Sequence, residues 1–277
     1  MEKTFTLSNG VTIPSVGYGT YKVIDASAAD IVRTALECGY RHLDTARIYG
    51  NEKEVGEGMQ MSSVPRNEIF LTSKVWKTHL SYDDALRSVE ESLKDLQTDY
   101  LDLCLLHWPM PEGDHAHWQQ RDLAAWQALE RLYEEKVVHA IGVSNFLPHH
   151  LMPLLAKANI KPMVDQLEIH PGYCQPYAMS FCQKEGIQVE AWSPLGRTRV
   201  LEEPLLLELA EKYGKSPAQI CLRFALDNGV LPLPKSASLE RMKANLDVFD
   251  FRLSPEDISR IFTMAQTGWS NQHPDTF

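Results

Sequence analysis

Short apolar runs bounded by turn residues alternate with longer stretches of helical periodicity through all 277 residues, with no linker or low-complexity tract between them. Alternation of this kind requires a parallel sheet, either doubly wound or closed into a barrel. The dinucleotide fingerprint G-x-G-x-x-G is absent: Gly17-Tyr18-Gly19 continues as Thr20-Tyr21-Lys22, and Gly56-Glu57-Gly58 continues as Met59-Gln60-Met61. That counts against the doubly wound alternative. Division by about 150 residues per domain suggests two domains, yet α/β barrels of roughly 250 residues form one. The predicted fold is therefore α/β, a (β/α)8 TIM barrel with an N-terminal β-hairpin, and residues 1–277 are expected to form a single domain.

The hairpin is read at Thr4 to Leu7 and Val11 to Pro14, around Ser8-Asn9-Gly10, because Asn-Gly tolerates the positive φ angles of tight hairpin turns. Val11 to Tyr18 has strand character throughout, and Val16 to Tyr18 or a neighbouring segment counts as the first barrel strand. Ala26 to Cys38 reads as helix, Tyr40 to Asp44 and Ile69 to Val75 as strands. Ser81 to Leu96 starts on a Ser N-cap and places Ala85, Leu86, Val89 and Leu93 on one helical face. Tyr100 to His107 is a continuous apolar run, the mark of a strand buried on both faces. The rhythm repeats as helix Leu123 to Glu135, strand Val138 to Val143, helix Pro148 to Ala158 and strand Met163 to Leu167. Helix Tyr177 to Glu185 and strand Ile187 to Trp192 follow. Helices Pro204 to Tyr213 and Pro217 to Leu226 then precede strand Val230 to Pro232 and helix Leu239 to Asn245. Ser254-Pro255-Glu256-Asp257 opens a last helix.

Composition narrows the function classes. Thirty-seven acidic against 27 basic residues give a net charge of −10, which argues against a nucleic-acid or anionic-membrane surface. No run of 18 apolar residues occurs and the N-terminus lacks a basic-then-apolar leader, so a cytoplasmic protein is expected. Five cysteines, Cys38, Cys104, Cys174, Cys182 and Cys221, form no C-x-x-C pair and suit reduced thiols. His115-Ala116-His117, His149-His150 and His170 raise a metal reading, but no H-E-x-x-H is present and no metal is expected.

Barrels of this kind carry their chemistry at the C-terminal strand ends. Asp44, Lys74, His107, Ser144-Asn145 and Gln166 stand at successive ends, and each is costly to bury unpaired. An Asp, a Lys and a His converging on one mouth suggest a shared task.

Asp44-Thr45-Ala46-Arg47-Ile48-Tyr49-Gly50-Asn51-Glu52 closely resembles the D-T-A-x-x-Y-x-N-E signature of the aldo-keto reductases. The resemblance continues through Thr72-Ser73-Lys74-Val75-Trp76, Leu106-His107-Trp108-Pro109, Gly142-Val143-Ser144-Asn145-Phe146, Ala191-Trp192-Ser193-Pro194-Leu195-Gly196 and Leu233-Pro234-Lys235-Ser236. It implies a catalytic tetrad of Asp44, Tyr49, Lys74 and His107. Reducing a carbonyl needs a hydride on carbon and a proton on oxygen, and a phenol with a pKa of about 10 is a sluggish acid near neutrality. A Lys74 ammonium beside Tyr49 stabilises the phenolate and is expected to lower its pKa. Asp44 would keep Lys74 charged and oriented, and His107 would donate a hydrogen bond to the carbonyl oxygen. The resemblance also ties His at position 107 to C=O rather than C=C reduction.

The same resemblance implies a nicotinamide cofactor lying across the barrel mouth. Gly19, Thr20 and Asp44 would flank it, Ser144, Asn145 and Gln166 would bond the carboxamide, and Trp192 would stack on the ring where many relatives have Tyr. Ser193, Leu195 and Gly196 would meet the pyrophosphate, with Arg197 and Arg199 in the same loop. Lys235, Ser236 and Arg241, with Lys243 nearby, form a basic helix start suited to a 2′-phosphate, so NADPH/NADP is expected over NADH. Ala244-Asn245 stands where relatives often show Glu-Asn, which leaves Asn245 as the adenine contact and predicts weaker affinity.

Tyr21, Trp76 and Trp108, with Tyr49 and His107, are the expected substrate walls, joined by the tail around Trp269. The tail after Gln266 is short, which predicts an open pocket for small carbonyls like those of the microbial diketogluconate and methylglyoxal reductases. The expectation is an NADPH-dependent reductase of small aldehydes and ketones, monomeric, without nucleic-acid or membrane partners. The alternatives are a non-catalytic regulatory or structural protein on the same fold, and a barrel metallohydrolase.

Overall fold

The computed structural model describes residues 3–24, 27–109 and 116–277. The predicted helix start at Ala26, the N-terminal Met1-Glu2 and His115 lie outside the described residues. Strands β1 (Thr4–Thr6) and β2 (Thr12–Pro14) form the antiparallel hairpin, with Phe5 opposite Ile13. Gly10 takes φ +87° at its turn, and Asn9 bonds the His139 carbonyl at 3.0 Å, pinning the hairpin across one end of the barrel. Leu7 and Ile13 are buried there.

Eight parallel strands follow in sequence order around the sheet: β3 (Tyr18–Gly19), β4 (His42–Asp44), β5 (Phe70–Val75), β6 (Leu103–Leu106), β7 (Ile141–Ser144), β8 (Val164–Glu168), β9 (Gln188–Trp192) and β10 (Leu231–Leu233). The ring is closed by Gly17 N–H to Pro232 O at 3.1 Å and Gly19 N–H to Pro234 O at 3.0 Å. Glycine is required at this seam. A Cβ on Gly17 would fall 2.5 Å from Leu233 Cδ2 and 2.6 Å from His42 Nδ1. The expected run from Val11 to Tyr18 is thus two strands in two different sheets.

Helices α1 (Ala28–Glu37), α2 (Glu52–Met61), α3 (Tyr82–Leu96), α4 (Trp118–Glu134), α5 (Pro148–Leu155), α6 (Pro176–Glu185), α7 (Pro204–Tyr213), α8 (Pro217–Asp227), α9 (Leu239–Leu246) and α10 (Pro255–Phe262) surround the sheet. Ser81, Ser216, Ser238 and Ser254 cap α3, α8, α9 and α10 through their side-chain oxygens. Helix α4 begins at Trp118, one turn before the expected Leu123, and α5 ends at Leu155 rather than Ala158. Helix α2 has no counterpart in the sequence reading. Its two glycines depress helix propensity but permit close packing: a Cβ on Gly56 would lie 2.7 Å from the Leu96 backbone, and one on Gly58 would lie 2.6 Å from the Ala29 carbonyl. A second apolar cluster, including Leu206, Leu209, Ile220, Phe224 and Ile261, joins α7, α8 and α10 beside the barrel. Among the described residues no helix is long and apolar enough to cross a membrane.

The strand register sets the polar layer beneath the barrel mouth. Asp44 of β4 pairs with Thr72 of β5, and Gln166 of β8 pairs with Glu190 of β9. Side chains alternate across a strand, so His42 and Asp44 share one face, as do Thr72 and Lys74. His42 Nε2 lies 3.0 Å from Thr72 Oγ1, and burial with the Lys74 charge pushes its pKa down to about 3, so the ring is neutral.

Candidate active site

The segment after β4 is held by its own short polar side chains. Thr45 Oγ1 donates to Asn51 Oδ1 at 3.0 Å, and Asn51 Nδ2 donates to the carbonyls of Thr20 and Val23, both at 2.9 Å. Glu52, buried at the start of α2, accepts from Ser73 of β5 and from Arg47. These ties shape a single 3-10 turn, Arg47–Tyr49, which Gly50 ends with φ +66°. Thr45, Asn51 and Glu52 therefore fix the loop that carries Tyr49 over the strand ends.

Lys74 is the hub. Its Nζ donates to Asp44 Oδ1 at 2.7 Å and to Thr45 O at 2.8 Å, and lies 3.5 Å from the Tyr49 hydroxyl. Burial alone would lower the Lys74 pKa, but Asp44 and Tyr49 outweigh it and the ammonium is held above its ordinary value. The Tyr49 phenol departs from the expected direction. Burial raises its pKa more than the Lys74 charge lowers it, so the group remains a protonated donor. His107 follows β6 and meets the Tyr49 ring edge-on at 5.6 Å and the Trp76 ring at 5.1 Å. Burial first and Lys74 second hold His107 well below the usual histidine range, so its imidazole is neutral. Its Nδ1 is buried without a partner, while the ring lines the cavity.

A second group sits at the ends of β7, β8 and β9. Ser144 Oγ donates to the Gln166 carbonyl at 2.9 Å. Asn145, at φ +64°, donates through Nδ2 to His107 O at 2.9 Å and to Ser144 Oγ at 3.0 Å. Its Oδ1 accepts the indole N–H of Trp192 at 2.8 Å. Gln166 donates through Nε2 to Asp44 Oδ2 at 2.8 Å and to Glu190 Oε2 at 2.7 Å. The residues after β9 include Ser193, Gly196, Arg197 and Thr198, all at positive φ. The amides of Gly196 and Thr198 are taken by the Ser193 and Leu195 carbonyls, both at 2.8 Å, which closes the turn on itself. Arg197 lies over the Trp192 ring at 5.8 Å and donates to Gln272 at 2.9 Å.

Both groups border one cavity of about 560 Å³. Of the predicted residues, Gly19, Tyr21, Asp44, Tyr49, Trp76, His107, Trp108, Ser144, Asn145, Gln166, Trp192, Ser193, Leu195 and Lys235 line it. Lys74 lies just beneath, reaching the wall through Asp44 and Tyr49. Thr20, Gly196, Ser236 and Asn245 are buried behind the wall, Asn245 facing the Tyr40 phenol, and Arg241 is exposed on α9 outside it. Lys22, Ile48, Thr198, Gln272 and Phe277 also line it without having been singled out in the sequence, beside Pro194, Arg197, Leu233 and Pro234. Trp269 stacks on Tyr173 at 6.0 Å instead of facing the cavity. The tail is less open than its length implies. Ser270 bonds Glu168, Asp275 bonds His149, and the final residue, Phe277, packs 4.5 Å from Trp108 and 6.3 Å from Trp76. Its position at the cavity wall depends on tertiary contacts and leaves no local sequence signal.

Among the described residues, His149, His150 and Asp275 form a cluster with ligand atoms within 4.8 Å of one another. His150 Nδ1 accepts the Leu147 N–H at 3.1 Å, so the neutral ring carries its proton on Nε2, facing Asp275 at 2.8 Å. The neutral His150 ring so oriented has no lone pair facing Asp275, and the contacts of His149 and His150 with Asp275 tie the tail to α5.

Comparison with known proteins places these observations in context. A sequence profile described as the aldo/keto reductase family matches residues 15–265. The chain is 44% identical to glyoxal reductase of Bacillus subtilis over 276 residues, covering 99% of this chain and 97% of that protein. It is 39% identical to methylglyoxal reductase DkgA of Salmonella typhimurium, covering 98% and 96%. A mutant of Gox0644 crystallised in complex with NADPH superposes with a TM-score of 0.92 at 37% identity, covering 100% of this chain and 99% of that one.

Proposed function

The chain belongs to the aldo/keto reductase family, and from that premise we propose that it is an NADPH-dependent reductase of small aldehydes and ketones, with residues 1–277 acting as one barrel unit. The observation that carries the proposal is the placement of Lys74 Nζ, 2.7 Å from Asp44 Oδ1 and 3.5 Å from the Tyr49 hydroxyl at the wall of the cavity.

Tyr49 is the general acid in this reading. A buried phenol that keeps its proton has one to give when negative charge grows on a nearby carbonyl oxygen, and Lys74 stabilises the phenolate left behind. Asp44 keeps Lys74 charged and directed at the hydroxyl. His107 acts as a neutral donor: with Nδ1 enclosed, the proton is best placed on Nε2, toward the cavity, where it can bond the substrate oxygen.

The residues fit a reduced nicotinamide cofactor, which supplies the hydride when bound. Gln166 and Asn145 present side-chain oxygens at the wall, Trp192 offers a flat apolar face, and the Arg197 guanidinium lining the cavity suits a pyrophosphate. Lys235 and the exposed Arg241 at the start of α9 would take the 2′-phosphate. Tyr21, Trp76, Trp108 and Phe277 leave room for a small carbonyl compound, and the named activities of the glyoxal and methylglyoxal reductases support a dicarbonyl substrate class. The test is NADPH oxidation by pure protein across glyoxal, methylglyoxal and para-nitrobenzaldehyde. Turnover with at least one is expected, and none with any of them would overturn the proposal.

A further inference from the structure

Glu190 projects from β9 beside Gln166, its neighbour in the parallel register, and has no exposed surface. Its Oε2 accepts one N–H of the Gln166 amide at 2.7 Å, while Asp44 Oδ2 accepts the other at 2.8 Å. Both hydrogens of that NH2 group are therefore directed at carboxyl oxygens. Rotating the amide by half a turn would give up both hydrogen bonds and set its carbonyl oxygen against the Asp44 carboxylate. Gln166 lines the cavity, and among the described residues no hydrogen bond engages its Oε1. The atom it presents to the cavity is a carbonyl oxygen.

The proton-donating group accounts for Asp44, which also holds Lys74. It does not account for Glu190, a second buried acid near the same single ammonium. A carboxyl in this position is costly, and its Oε1 is buried without a partner. Burial, added to the Asp44 charge, pushes its pKa up to about 8. A proton on the partnerless Oε1 leaves Oε2 as the acceptor that Gln166 needs.

We infer that Glu190 is a positioning residue: together with Asp44 it locks the amide orientation of Gln166, so that the site selects a cofactor ring whose substituent donates an N–H toward Gln166 Oε1. This rests on the nicotinamide reading above. The probe is the acetylpyridine analogue of NADPH, in which a methyl group replaces the carboxamide NH2 and the carbonyl remains.

Dissociation constants for NADPH and for the analogue, read by protein-fluorescence quenching, give a discrimination ratio independent of turnover. The wild-type protein should favour NADPH by about ten-fold, the scale of one hydrogen bond with a partner left unpaired. In Glu190→Met the ratio should fall several-fold, because Asp44 alone is left to hold the amide. Glu190→Gln, which offers an amide oxygen at the same reach, should restore it. Glu190→Thr reads the same ratio with a strand-favouring side chain too short to touch Gln166, should methionine disturb folding. A wild-type ratio near one, or a ratio unchanged in Glu190→Met, overturns the inference. Failure of the wild-type protein to bind NADPH at all would instead overturn the cofactor reading.

Discussion

The Trp192 indole N–H reaches Asn145 Oδ1 at 2.8 Å, joining the end of β9 to the residue that follows β7. Asn145 is in turn tied to the His107 carbonyl at 2.9 Å, so the indole plane is set by a chain of bonds that begins beside the tetrad. A tyrosine at position 192 carries no ring N–H, and replacing tryptophan there changes more than the shape of a stacking face.

Trp192→Tyr should therefore weaken NADPH binding by up to about ten-fold, the scale of one net hydrogen bond, while leaving the fold intact. Fluorescence titration of the variant with NADPH checks this. Affinity equal to the wild type would show that the bond does not organise the site.

The tail is anchored through Asp275. Burial alone would raise the Asp275 pKa, but hydrogen bonding to His149 and the charges of His149 and His273 bring it below the usual value. A carboxyl whose folded pKa is depressed contributes stability above its unfolded pKa and loses it as pH falls through the folded one. Asp275→Asn should loosen Phe277 from Trp76 and Trp108, raising KM for small carbonyls several-fold with little change in kcat. A fall in kcat at unchanged KM would contradict a positioning role for the tail.

Glu190 makes the opposite contribution. Its pKa rises from 4.5 to about 8 on folding, so between those values the folded protein holds a proton that the unfolded chain has released. Stability is then greatest at low pH with respect to this group and declines as pH rises through that window. Glu190→Gln should flatten the decline, gaining on the order of a few kcal/mol over the wild type above pH 8. Parallel pH dependences in urea unfolding would contradict the assignment.

Gly56→Ala opposes two effects of known sign. Alanine gains roughly 0.5–1 kcal/mol of helix propensity in α2, yet its Cβ would lie 2.7 Å from the Leu96 backbone, which cannot rotate aside. Overpacking of this kind costs about 1–3 kcal/mol, so the variant should melt at a lower temperature than the wild type. A higher melting temperature would show that α2 has room to shift.

Much of the barrel was legible because its signals are local. Tyr100 to His107 is apolar without alternation, and only a strand covered on both sides needs that pattern. Ser81 and Ser254 mark helix starts by chemistry that acts within one turn. Helix α2 was hidden because Gly56 and Gly58 serve packing against α1 and α3 at the expense of propensity. The four residues Asp44, Tyr49, Lys74 and His107 were legible as motif identities, whereas the direction of the Tyr49 pKa depends on burial and needed the folded chain. Glu190 and Phe277 were missed for related reasons. One is an inward-facing acid whose partner, Gln166, lies on the adjacent strand, and the other is a terminal aromatic brought to the cavity by contacts far away in sequence.

The central claim is that Tyr49, beside Lys74, is the proton donor. Tyr49→Phe removes the hydroxyl and keeps the ring, and kcat for methylglyoxal should fall by about two to four orders of magnitude, the range of general acid catalysis, with NADPH affinity changed little. Turnover within a few-fold of the wild type at unchanged NADPH affinity would contradict it.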